Sequence, residues 1–409
     1  MKIRLSGPSD RLLRKTIEIT GSKSESNRSL LLASLYPGIT IDNISNSDDA
    51  QVMTAGLQKS NGVVNIHHAG TAMRFLTGYF ASQEGKEVVL TGSQRMTERP
   101  IKILVEALRS LGADISYVKN EGYPPLKIKG GKLTKDKVSL PADISSQYIS
   151  SLLLIAPSLE NGLKLQLVGK ITSVPYIKMT LSLLNEIGVI TSFEGNTIKV
   201  NPKKEVAPVN LVVESDWSSA SYFYSIAALA ELGTEITLSS YKENSLQGDS
   251  VLAKLYQELG VSTTFNANNI TLKKNSTSYP NQFRADLSNA PDIAQTIVVT
   301  CFGLGIGCHL DGLHTLKIKE TDRLEALYTE LSKLGGSISV TDKSLTLKSS
   351  TTIKENVAID TYNDHRMAMA FAPLALKTRL CVNDAEVVSK SYPDFWNDME
   401  LLQIEVTEL

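Results

Sequence analysis

Apolar residues recur at the spacing of an α-helix towards the C-terminal end of the chain. Five of them fall on one predicted helix face: Leu324, Leu327, Tyr328, Leu331 and Leu334. The polar residues just before this run are Lys319-Glu-Thr-Asp-Arg323. We therefore predict a helix from residue 319 to 334 whose apolar face is buried and whose first turn carries two cations and two carboxylates.

A pattern of an amphipathic helix, a terminal apolar-Gly pair and a β-rich hairpin occurs four times along the chain. The four helices end at Leu111-Gly112, Ile187-Gly188, Leu259-Gly260 and Leu334-Gly335. By subtraction the glycines lie 76, 72 and 75 residues apart, and a glycine at this place is a common end of a helix. Fainter copies end near Asn61-Gly62 and within residues 399–405. Six mixed α/β units therefore fill the chain, and we predict two domains of three units each.

The boundary between the two predicted domains falls near the middle of the chain. A strand-like run stops within residues 213–217, and an apolar helix over residues 220–232 follows it. The opening strand, from Ile3 to Ile17, can belong to either domain on this pattern alone.

Composition and charge narrow the classes of function. The 409 residues carry a formal net charge of -1, so there is no overall basic field to attract nucleic acid or an anionic membrane. The most apolar stretch, residues 293–310, is broken by Gln295 and three glycines, which predicts a buried helix followed by a strand. No apolar signal region opens the chain, and its three cysteines lack the spacing of a zinc site or a disulfide framework. We therefore expect a cytoplasmic protein with reduced thiols, no metal site, and no membrane or nucleic-acid partner.

Short motifs with glycine, hydroxyl and basic residues stand at the starts of several predicted helices. Small residues let the backbone approach a ligand, hydroxyls donate hydrogen bonds, and Lys or Arg supplies charge to a phosphate or carboxylate. The motifs are Gly21-Ser-Lys-Ser-Glu-Ser-Asn-Arg28 before a helix over residues 29–35, Ala69-Gly-Thr-Ala-Met-Arg74, Thr91-Gly-Ser-Gln-Arg-Met-Thr-Glu-Arg-Pro100, Ser145-Ser-Gln147, Ser173-Val-Pro-Tyr176, Asn363-Asp-His-Arg366 and Lys390-Ser-Tyr-Pro-Asp394. Each alone fits an ordinary capped helix, and the first is not a nucleotide-binding P-loop because Ser22 separates Gly21 from Lys23. Their recurrence predicts a cleft in which helix ends and cations meet a small polyanionic substrate pair.

Two carboxylates are candidates for proton transfer. Asp292 follows Pro291 at the mouth of the apolar helix, where desolvation raises proton affinity and suits a general base; the alternative is a simple helix N-cap. Glu320 stands among the cations of its motif, so it is either part of a surface ion pair or a proton carrier beside a bound anion. These two segments alone leave both alternatives open.

Together, these motifs resemble the 5-enolpyruvylshikimate-3-phosphate (EPSP) synthase family. The likeness is carried, in order along essentially the whole chain, by the motifs at 21–28 and 69–74, Arg95-Met-Thr-Glu-Arg-Pro100, Ser145-Ser-Gln147, Lys319-Glu-Thr-Asp-Arg323 and Tyr362-Asn-Asp-His-Arg-Met-Ala-Met369. The resemblance implies an α/β (α+β) fold, a two-domain inside-out α/β barrel with three βαβαββ units about a pseudo-threefold axis in each domain. It also implies a first domain over residues 20–214, a second formed by residues 1–19 and 215–409, and an active site in the interdomain cleft.

The resemblance further implies a reaction, which is the transfer of the enolpyruvyl group of phosphoenolpyruvate to the 5-hydroxyl of shikimate 3-phosphate with release of phosphate. The implied catalytic residues are Lys23, Asp292, Glu320 and His365. The implied ligands of shikimate 3-phosphate are Lys23, Ser24, Arg28, Ser145, Ser146, Gln147, Ser173, Tyr176, Asp292, Thr315 and Lys319. The implied ligands of phosphoenolpyruvate are Lys23, Gly70, Thr71, Arg95, Gln147, Glu320, Arg323, Arg366 and Lys390. We accordingly expect a monomer that needs no metal or other cofactor.

Four residues depart from the commonest pattern of the EPSP synthase family. The departures are Glu25, His68, Phe75 and Thr315.

A UDP-N-acetylglucosamine enolpyruvyl transferase, the sister enzyme, typically carries a reactive Cys near the third motif, where residues 93–96 have none. A non-catalytic anion-binding protein on the same fold is expected to lose charged site residues, yet Lys23, Asp292, Glu320 and Arg366 are all present. RNA-end-processing enzymes with related units are disfavoured by the nearly neutral charge.

Overall fold

The chain divides into two compact units, and each is described by itself. The computed structural model describes residues 1–8, 12–142, 145–169, 171 and 174–409. The N-terminal unit is Gly21–Val213, and the C-terminal unit joins Met1–Thr20 to Glu214–Leu409. Both units mix helices and strands, as predicted.

Strands and helices are numbered in chain order over the described residues. The strands are β1 (Ile3–Ser6), β2 (Arg14–Ile17), β3 (Ile39–Asp42), β4 (Asn61–Asn65), β5 (Glu87–Thr91), β6 (Asp114–Tyr117), β7 (Leu126–Lys129), β8 (Lys137–Pro141), β9 (Leu163–Val168), β10 (Thr191–Glu194), β11 (Thr197–Val200), β12 (Val209–Val212), β13 (Glu235–Leu238), β14 (Val261–Asn266), β15 (Asn269–Lys274), β16 (Gln282–Asp286), β17 (Gly307–Asp311), β18 (Ile338–Val340), β19 (Leu345–Leu347), β20 (Val357–Ile359), β21 (Leu380–Val382) and β22 (Glu405–Glu408). The α-helices are α1 (Lys23–Leu35), α2 (Asp48–Leu57), α3 (Gly70–Ala81), α4 (Gln94–Thr97), α5 (Lys102–Leu111), α6 (Ser146–Ile155), α7 (Val174–Glu186), α8 (Trp217–Leu229), α9 (Leu252–Leu255), α10 (Ala294–Leu304), α11 (Arg323–Lys333), α12 (His365–Phe371) and α13 (Phe395–Leu401). Short 3-10 helices are Ala156–Ser158, Gly248–Val251, Pro291–Ile293, His314–Ile318, Ala372–Leu376 and Ala385–Lys390.

One strand arrangement recurs in both units. The N-terminal unit contains the sheets β4-β5-β7-β6 and β8-β9-β11-β10, and the C-terminal unit contains β2-β13-β15-β14, β16-β17-β19-β18 and β20-β21-β1-β22. In each of these sheets the first two strands are parallel and the other neighbours are antiparallel. A further sheet of the N-terminal unit pairs β3 with β12 in parallel. Among the described residues each unit therefore holds three sheets.

The first strands of the chain belong to the C-terminal unit. β1 lies between β21 and β22, with Leu5 opposite Leu380 and Val406. β2 instead pairs with β13, with Ile17 opposite Leu238. The single opening strand predicted up to residue 17 is therefore wrong in extent, because two short strands join two different sheets.

Backbone geometry confirms turns at the glycines predicted from the repeat, but the prediction that a helix ends at Gly260 is wrong, because α9 already ends at Leu255. Gly112, Gly188, Gly260 and Gly335 have φ values of 111°, 77°, 80° and 98°. Residues with a Cβ are strained in this left-handed region, so glycine lets the chain turn from helix to strand. Strands β6, β10, β14 and β18 follow these glycines, and each pairs antiparallel with the next strand.

Largely buried helices form the core of each unit. Every residue of α3 and of α8 is buried. Helices α1, α3 and α6 pack on one another, and α10 packs against α8 and α12. Hydroxyl groups of α8 and α10 form hydrogen bonds with each other: Ser221 Oγ lies 3.0 Å from Thr296 Oγ1, and Thr300 Oγ1 lies 2.7 Å from Ser225 Oγ. Most of the predicted site motifs stand at the first turns of these helices.

Helix α11 begins later than the sequence pattern predicted. Asp322 Oδ1 accepts hydrogen bonds from the backbone N–H groups of the two residues after Arg323, at 3.1 and 3.2 Å, and so caps the helix at Arg323. Lys319 and Glu320 therefore precede the helix instead of forming its first turn. The four leucines of the predicted apolar face are buried, but Tyr328 is 43% exposed and does not share that environment.

Other predicted helices are shifted by a few residues. α1 begins at Lys23 and not at residue 29, so its motif forms the first turns of the helix. α8 covers Trp217–Leu229, slightly before the predicted range. The most apolar stretch of the sequence forms α10 and β17, as predicted. Over the described parts of the chain, no helix has both the length and the apolar character needed to cross a membrane.

Candidate active site

Lys23 is the first residue of α1 and opens the candidate site of the N-terminal unit. The turn before it needs glycine, because a Cβ at Gly21 would lie 1.9 Å from the backbone oxygen of Asn43. Lys23 Nζ lies 3.9 Å from Asp49 Oδ2, and the Lys23 side chain is 19% exposed. Lys23 therefore presents a partly shielded positive charge at a helix N-terminus, where anions are favoured.

Arg28 lies one turn further along α1 and is held by neutral groups. Its Nε donates to Thr180 Oγ1 at 2.8 Å, its Nη1 to the Ser24 carbonyl at 2.6 Å, and its Nη2 to Ser150 Oγ at 2.9 Å. The guanidinium carbon lies 5.3 Å from the ring centroid of Phe75. Burial lowers the pKa of Arg28 to about 10, so the side chain remains a cation at neutral pH.

The remaining predicted contacts near Arg28 involve α7. The ring centroid of Tyr176, in the first turn of α7, lies 6.0 Å from the guanidinium carbon of Arg28. Ser173, predicted as a neighbouring ligand of shikimate 3-phosphate, lies outside the described residues.

A hydrogen bond joins the predicted residues of α3 and α6. Gln147 Nε2 donates to Thr71 Oγ1 at 3.1 Å. Ser145 caps α6 by accepting a hydrogen bond from the backbone N–H of Gln147 at 3.4 Å, and Ser146 is buried. The structure therefore fixes these neutral donors and acceptors at the starts of two packed helices.

Gly70 and Arg95 differ in how closely the protein surrounds them. A Cβ at Gly70 would lie 2.8 Å from Arg99 Nη1, so a larger residue would displace the end of the Arg99 side chain. Arg95, in the short helix α4, lies 3.5 Å from Glu98, and its side chain is 58% exposed. Arg95 is thus an exposed cation on the N-terminal unit.

Arg323 forms the centre of the candidate site of the C-terminal unit. Its Nε lies 2.6 Å from Asp364 Oδ2, its Nη1 2.8 Å from Asp292 Oδ1, and its Nη2 2.9 Å from Glu320 Oε2. Burial opposes the charge, but the carboxylates of Asp364, Glu320 and Asp292 outweigh it and raise the pKa of Arg323. Three residues predicted from the sequence therefore meet in one ionic cluster.

Asp292 is the acid on which three cations converge. Its Oδ1 lies 3.3 Å from Lys319 Nζ as well as 2.8 Å from Arg323 Nη1, and its Oδ2 lies 3.4 Å from Arg366 Nη2. Although burial by itself raises it, the pKa of Asp292 is held well below its usual value by these positive charges. The expectation that desolvation raises the proton affinity of Asp292 is therefore wrong, because nearby cations outweigh desolvation.

Arg366 lies in the first turn of α12. Asp364 Oδ1 caps this helix by accepting the Arg366 backbone N–H at 2.9 Å. The guanidinium donates to the Asp292 carbonyl at 3.3 Å and to Ser218 Oγ at 3.2 Å. Burial opposes its charge, but Asp292 and Asp249 contribute to raising the pKa of Arg366 well above its usual value.

Three other predicted residues of the C-terminal unit, His365, Lys390 and Thr315, have different surroundings. His365 is buried, with Nδ1 3.9 Å from Asp364 Oδ1. Lys390 Nζ donates to the Asn363 carbonyl at 2.6 Å. The hydroxyl oxygen of Thr315 is buried and has no hydrogen-bond partner within the described chain. A buried hydroxyl without a partner costs free energy, which a bound polar ligand would recover.

Asp364, Ser218 and Asp249 lie around Arg323 and Arg366 in the C-terminal unit but were not among the predicted site residues. Asp364 has a detectable signal, since an Asp directly before a helix is a common N-cap. Ser218 and Asp249 have no such signal, because the contacts of Ser218 with Arg366 and with Asp249 depend on how distant segments of the chain pack. In the ranges that the structure describes, no group of three or more His, Cys, Asp or Glu residues is arranged to hold a metal ion.

Comparison with known proteins places the chain in a protein family. The sequence profile described as EPSP synthase (3-phosphoshikimate 1-carboxyvinyltransferase) matches residues 54–399. The chain belongs to the EPSP synthase family. The resemblance inferred from the sequence motifs is thereby confirmed.

Relatives in the EPSP synthase family match the chain over nearly its full length. The chain is 46% identical over 404 residues to a 3-phosphoshikimate 1-carboxyvinyltransferase of Bacteroides fragilis strain YCH46, covering 98% of this chain and 97% of that protein. It is 37% identical over 421 residues to the protein of that name from Photobacterium damsela subsp. piscicida, covering 96% and 97%.

Solved structures share the fold at low sequence identity. An EPSP synthase from Acinetobacter baumannii matches with a TM-score of 0.81 at 21% identity, covering 100% of both chains. The enolpyruvyl transferase NikO from Streptomyces tendae matches with a TM-score of 0.75 at 14% identity, covering 99% of this chain and 98% of that one. The fold predicted from the EPSP synthase resemblance is therefore confirmed.

Proposed function

We propose that this member of the EPSP synthase family transfers the enolpyruvyl group of phosphoenolpyruvate to the 5-hydroxyl of shikimate 3-phosphate and releases phosphate. The observation that carries the proposal is the 46% identity to a 3-phosphoshikimate 1-carboxyvinyltransferase over 98% of the chain. The reaction belongs to the biosynthesis of chorismate and the aromatic amino acids. The proposal includes a monomeric, cytoplasmic enzyme without a cofactor, and these details rest on the family resemblance.

The N-terminal unit supplies most of the ligands of shikimate 3-phosphate. Lys23 and Arg28 offer positive charge, and the hydroxyl and amide groups of Ser24, Ser145 and Gln147 offer directed hydrogen bonds. Contacts to neutral groups support this role for Arg28, because they orient the guanidinium without cancelling its charge. The remaining proposed ligands are Ser146, Ser173, Tyr176, Asp292, Thr315 and Lys319.

Phosphoenolpyruvate is bound mainly by cations of the C-terminal unit. Arg323, Arg366 and Lys390 bind its phosphate and carboxylate groups, and Glu320 stands beside them. The N-terminal unit adds Lys23, Gly70, Thr71, Arg95 and Gln147. Carboxylates neutralise the positive charge of Arg323 and Arg366 in the structure. A bound anionic substrate would form ion pairs with the same two arginines and so supply part of the negative charge that the carboxylates now provide.

The reaction proceeds by addition and elimination. Asp292 accepts the proton of the 5-hydroxyl as the oxygen bonds to C2 of phosphoenolpyruvate, while Glu320, with Lys23, delivers a proton to the methylene carbon. Glu320 then removes a proton from the new methyl group as the C2–O bond to phosphate breaks, which forms the enol ether and releases phosphate. The lysines, the arginines and the neighbouring His365 stabilise charge on the tetrahedral intermediate.

The low pKa of Asp292 fits this sequence of events. Lys319 and Arg366 favour its ionised form, so Asp292 is free of a proton when the acceptor binds. Once the substrate anions share these cations, the proton affinity of Asp292 rises towards that needed by a general base.

Phosphate release from phosphoenolpyruvate tests the proposed reaction. The purified protein is assayed with shikimate 3-phosphate, with UDP-N-acetylglucosamine, and with no acceptor. We expect release only with shikimate 3-phosphate. Release only with the nucleotide sugar would assign the chain to the sister reaction, and no release with either acceptor would favour a non-catalytic anion-binding protein.

A further inference from the structure

Ser218 links Arg366 to a buried carboxylate that the proposed mechanism does not use. Ser218, in the first turn of α8, donates its hydroxyl to Asp249 Oδ2 and accepts a hydrogen bond from Arg366 Nη2 at 3.2 Å. Asp249 belongs to the 3-10 helix Gly248–Val251 and is 4% exposed, and Ser218 is 8% exposed. Three separate segments of the C-terminal unit therefore meet at one serine hydroxyl.

Neighbouring contacts fix this serine and this carboxylate independently of Arg366. Gln247 Oε1 accepts the backbone N–H of Trp217 at 2.9 Å, and Gln247 Nε2 donates to the Ser215 carbonyl at 2.9 Å. Asp216 caps α8 by accepting the backbone N–H of Ser218 at 2.8 Å. The 3-10 helix is therefore held against the start of α8, and the serine hydroxyl has a defined place.

We propose that Asp249 is a positioning residue for Arg366, acting through the hydroxyl of Ser218, and that it thereby sets the affinity for phosphoenolpyruvate. A hydroxyl has a single proton, so donation to Asp249 leaves Ser218 as an acceptor towards the guanidinium. Asp292 holds the guanidinium through its carbonyl and its carboxylate, and Ser218 supplies the neutral contact. The proposal rests on the proposed function, because it takes Arg366 as a ligand of phosphoenolpyruvate.

The charges around Asp249 make this contact sensitive to pH. Burial and the negative charges of Asp292, before α10, and Asp216, before α8, raise the pKa of Asp249 to about 7, against the opposing effects of Arg366 on α12 and of Ser218. When protonated, Asp249 can itself donate to Ser218 Oγ, and the serine proton is then no longer held away from Arg366. The alignment of Arg366 is therefore best above neutral pH.

A double-mutant cycle tests whether Asp249 acts through Ser218. We expect Ser218→Ala and Asp249→Ala each to raise the KM for phosphoenolpyruvate about 10-fold, as expected for loss of a hydrogen bond to a charged group. The kcat and the KM for shikimate 3-phosphate stay close to wild type. The double variant matches either single variant, because both break the same chain of contacts. Effects that multiply in the double variant, or an unchanged KM in both single variants, would overturn the proposal.

Conservative variants and a matched control separate positioning from a merely structural role. Ser218→Thr keeps the hydroxyl and is expected to restore the wild-type KM. The KM of the wild type for phosphoenolpyruvate is expected to change with pH near 7, and Asp249→Asn is expected to lack this change. Ionisation of phosphoenolpyruvate itself affects the KM of both proteins alike. Asp398→Asn removes another buried carboxylate, one bonded to Tyr392, and should leave the KM unchanged. Identical pH profiles for wild type and Asp249→Asn would contradict the proposal.

One more variant distinguishes failure of this proposal from failure of the proposed function. Arg366→Ala is expected to raise the KM for phosphoenolpyruvate by more than either Asp249→Ala or Ser218→Ala. If Arg366→Ala raises it and the other two do not, Asp249 has no positioning role although the proposed site stands. If Arg366→Ala also leaves the KM unchanged, Arg366 is not a ligand of phosphoenolpyruvate and the positioning proposal fails with it. If wild type releases no phosphate with shikimate 3-phosphate, the proposed function itself is wrong.

Discussion

Two buried arginines, one in each unit, are held in opposite ways. Arg28 is 2% exposed, and its hydrogen-bond partners described above are two hydroxyls and a carbonyl. Arg323 is 1% exposed and contacts three carboxylates. Burial lowers the pKa of Arg28, whereas the carboxylates overcome burial and raise the pKa of Arg323. The same side chain is thus a cation among neutral partners in one unit and the centre of an ionic cluster in the other.

The contrast shows two uses of buried positive charge. Neutral partners orient a guanidinium and leave its field available to an incoming phosphate. Carboxylate partners neutralise the field, but they also place proton acceptors within reach of the cations that hold a substrate. We infer that the N-terminal unit is built for anion recognition and the C-terminal unit for proton transfer next to an anion. Four predictions test this division, from the largest expected effect to the smallest.

Replacement of Glu320 tests the proton-transfer role of the C-terminal unit. Glu320→Gln is expected to lower kcat by roughly 10²- to 10⁴-fold, as loss of a proton carrier does, and to leave the affinity for shikimate 3-phosphate nearly intact. Steady-state phosphate release and calorimetric binding measure the two quantities. Glu325→Gln, an exposed position in the first turn of α11, is the matched control and should behave as wild type. A kcat near wild type in Glu320→Gln would remove Glu320 from the chemistry.

Parallel replacement of the two arginines by methionine compares their contributions to stability. Arg323→Met removes a buried cation that three carboxylates share, one of which, Asp292, keeps two other cations, and is expected to lower the free energy of unfolding by about 3–5 kcal/mol. Arg28→Met removes hydrogen bonds to neutral groups, of which Thr180 and Ser150 still bond each other, and is expected to cost about 1–3 kcal/mol. Urea unfolding at neutral pH measures both. Equal losses would show that the charge of the partners does not distinguish the two sites.

The acids of the C-terminal unit should respond to pH in opposite directions. Asp292 has a lowered pKa, so its contribution to stability is present at neutral pH and is lost as the pH falls. Asp249 has a pKa raised to about 7, so stability falls as the pH rises from about 4 to about 7. Asp249→Asn removes this loss and should be more stable than wild type at pH 8, by at most about 4 kcal/mol, with little difference near pH 4.

Urea unfolding across this pH range provides the measurement, and Asp398 provides the comparison. Burial raises the pKa of Asp398 to about 6, so the gain in Asp398→Asn should level off about one pH unit lower than in Asp249→Asn. A gain in Asp249→Asn that does not change with pH would mean that Asp249 titrates normally in the folded protein.

Removal of Arg28 tests recognition by the N-terminal unit. Arg28→Ala is expected to weaken binding of shikimate 3-phosphate by about 10- to 100-fold, the usual value of a hydrogen bond to a charged group. Arg109→Ala is the control, because Arg109 also donates to a backbone carbonyl, that of Ile115, and stacks on an aromatic ring, yet is not a proposed ligand. Isothermal calorimetry measures both. An unchanged affinity in Arg28→Ala would place the phosphate elsewhere.

Features that depend on local sequence could be predicted, and features that depend on distant contacts could not. The turn glycines at 112, 188, 260 and 335 were predictable, since each follows an amphipathic run and precedes alternating residues. The start of α11 was not, because the choice between Lys319 and Arg323 is made by the side chain of Asp322. Propensity alone does not decide between caps a few residues apart.

The pKa shifts of the site residues also depend on distant contacts and could not be predicted from local sequence. A carboxylate before an apolar helix predicts a raised pKa for Asp292, but Lys319 and Arg366 lie far away in sequence and reverse the shift. The contact of Asp249 with Ser218 likewise brings together residues that share no motif. The sign of an electrostatic shift in pKa therefore requires the positions of every nearby charge, whereas the residues proposed to bind anions are chosen from their motifs.

The pairing of β1 imposes an order of events on synthesis of the protein. The ribosome makes Leu5 before its strand partners Leu380 and Val406, which follow roughly 20 to 80 s later at 5–20 residues per second. The N-terminal unit, residues 21–213, is complete long before that time. Strand β1 must therefore wait without its strand partners until β21 and β22 have been made.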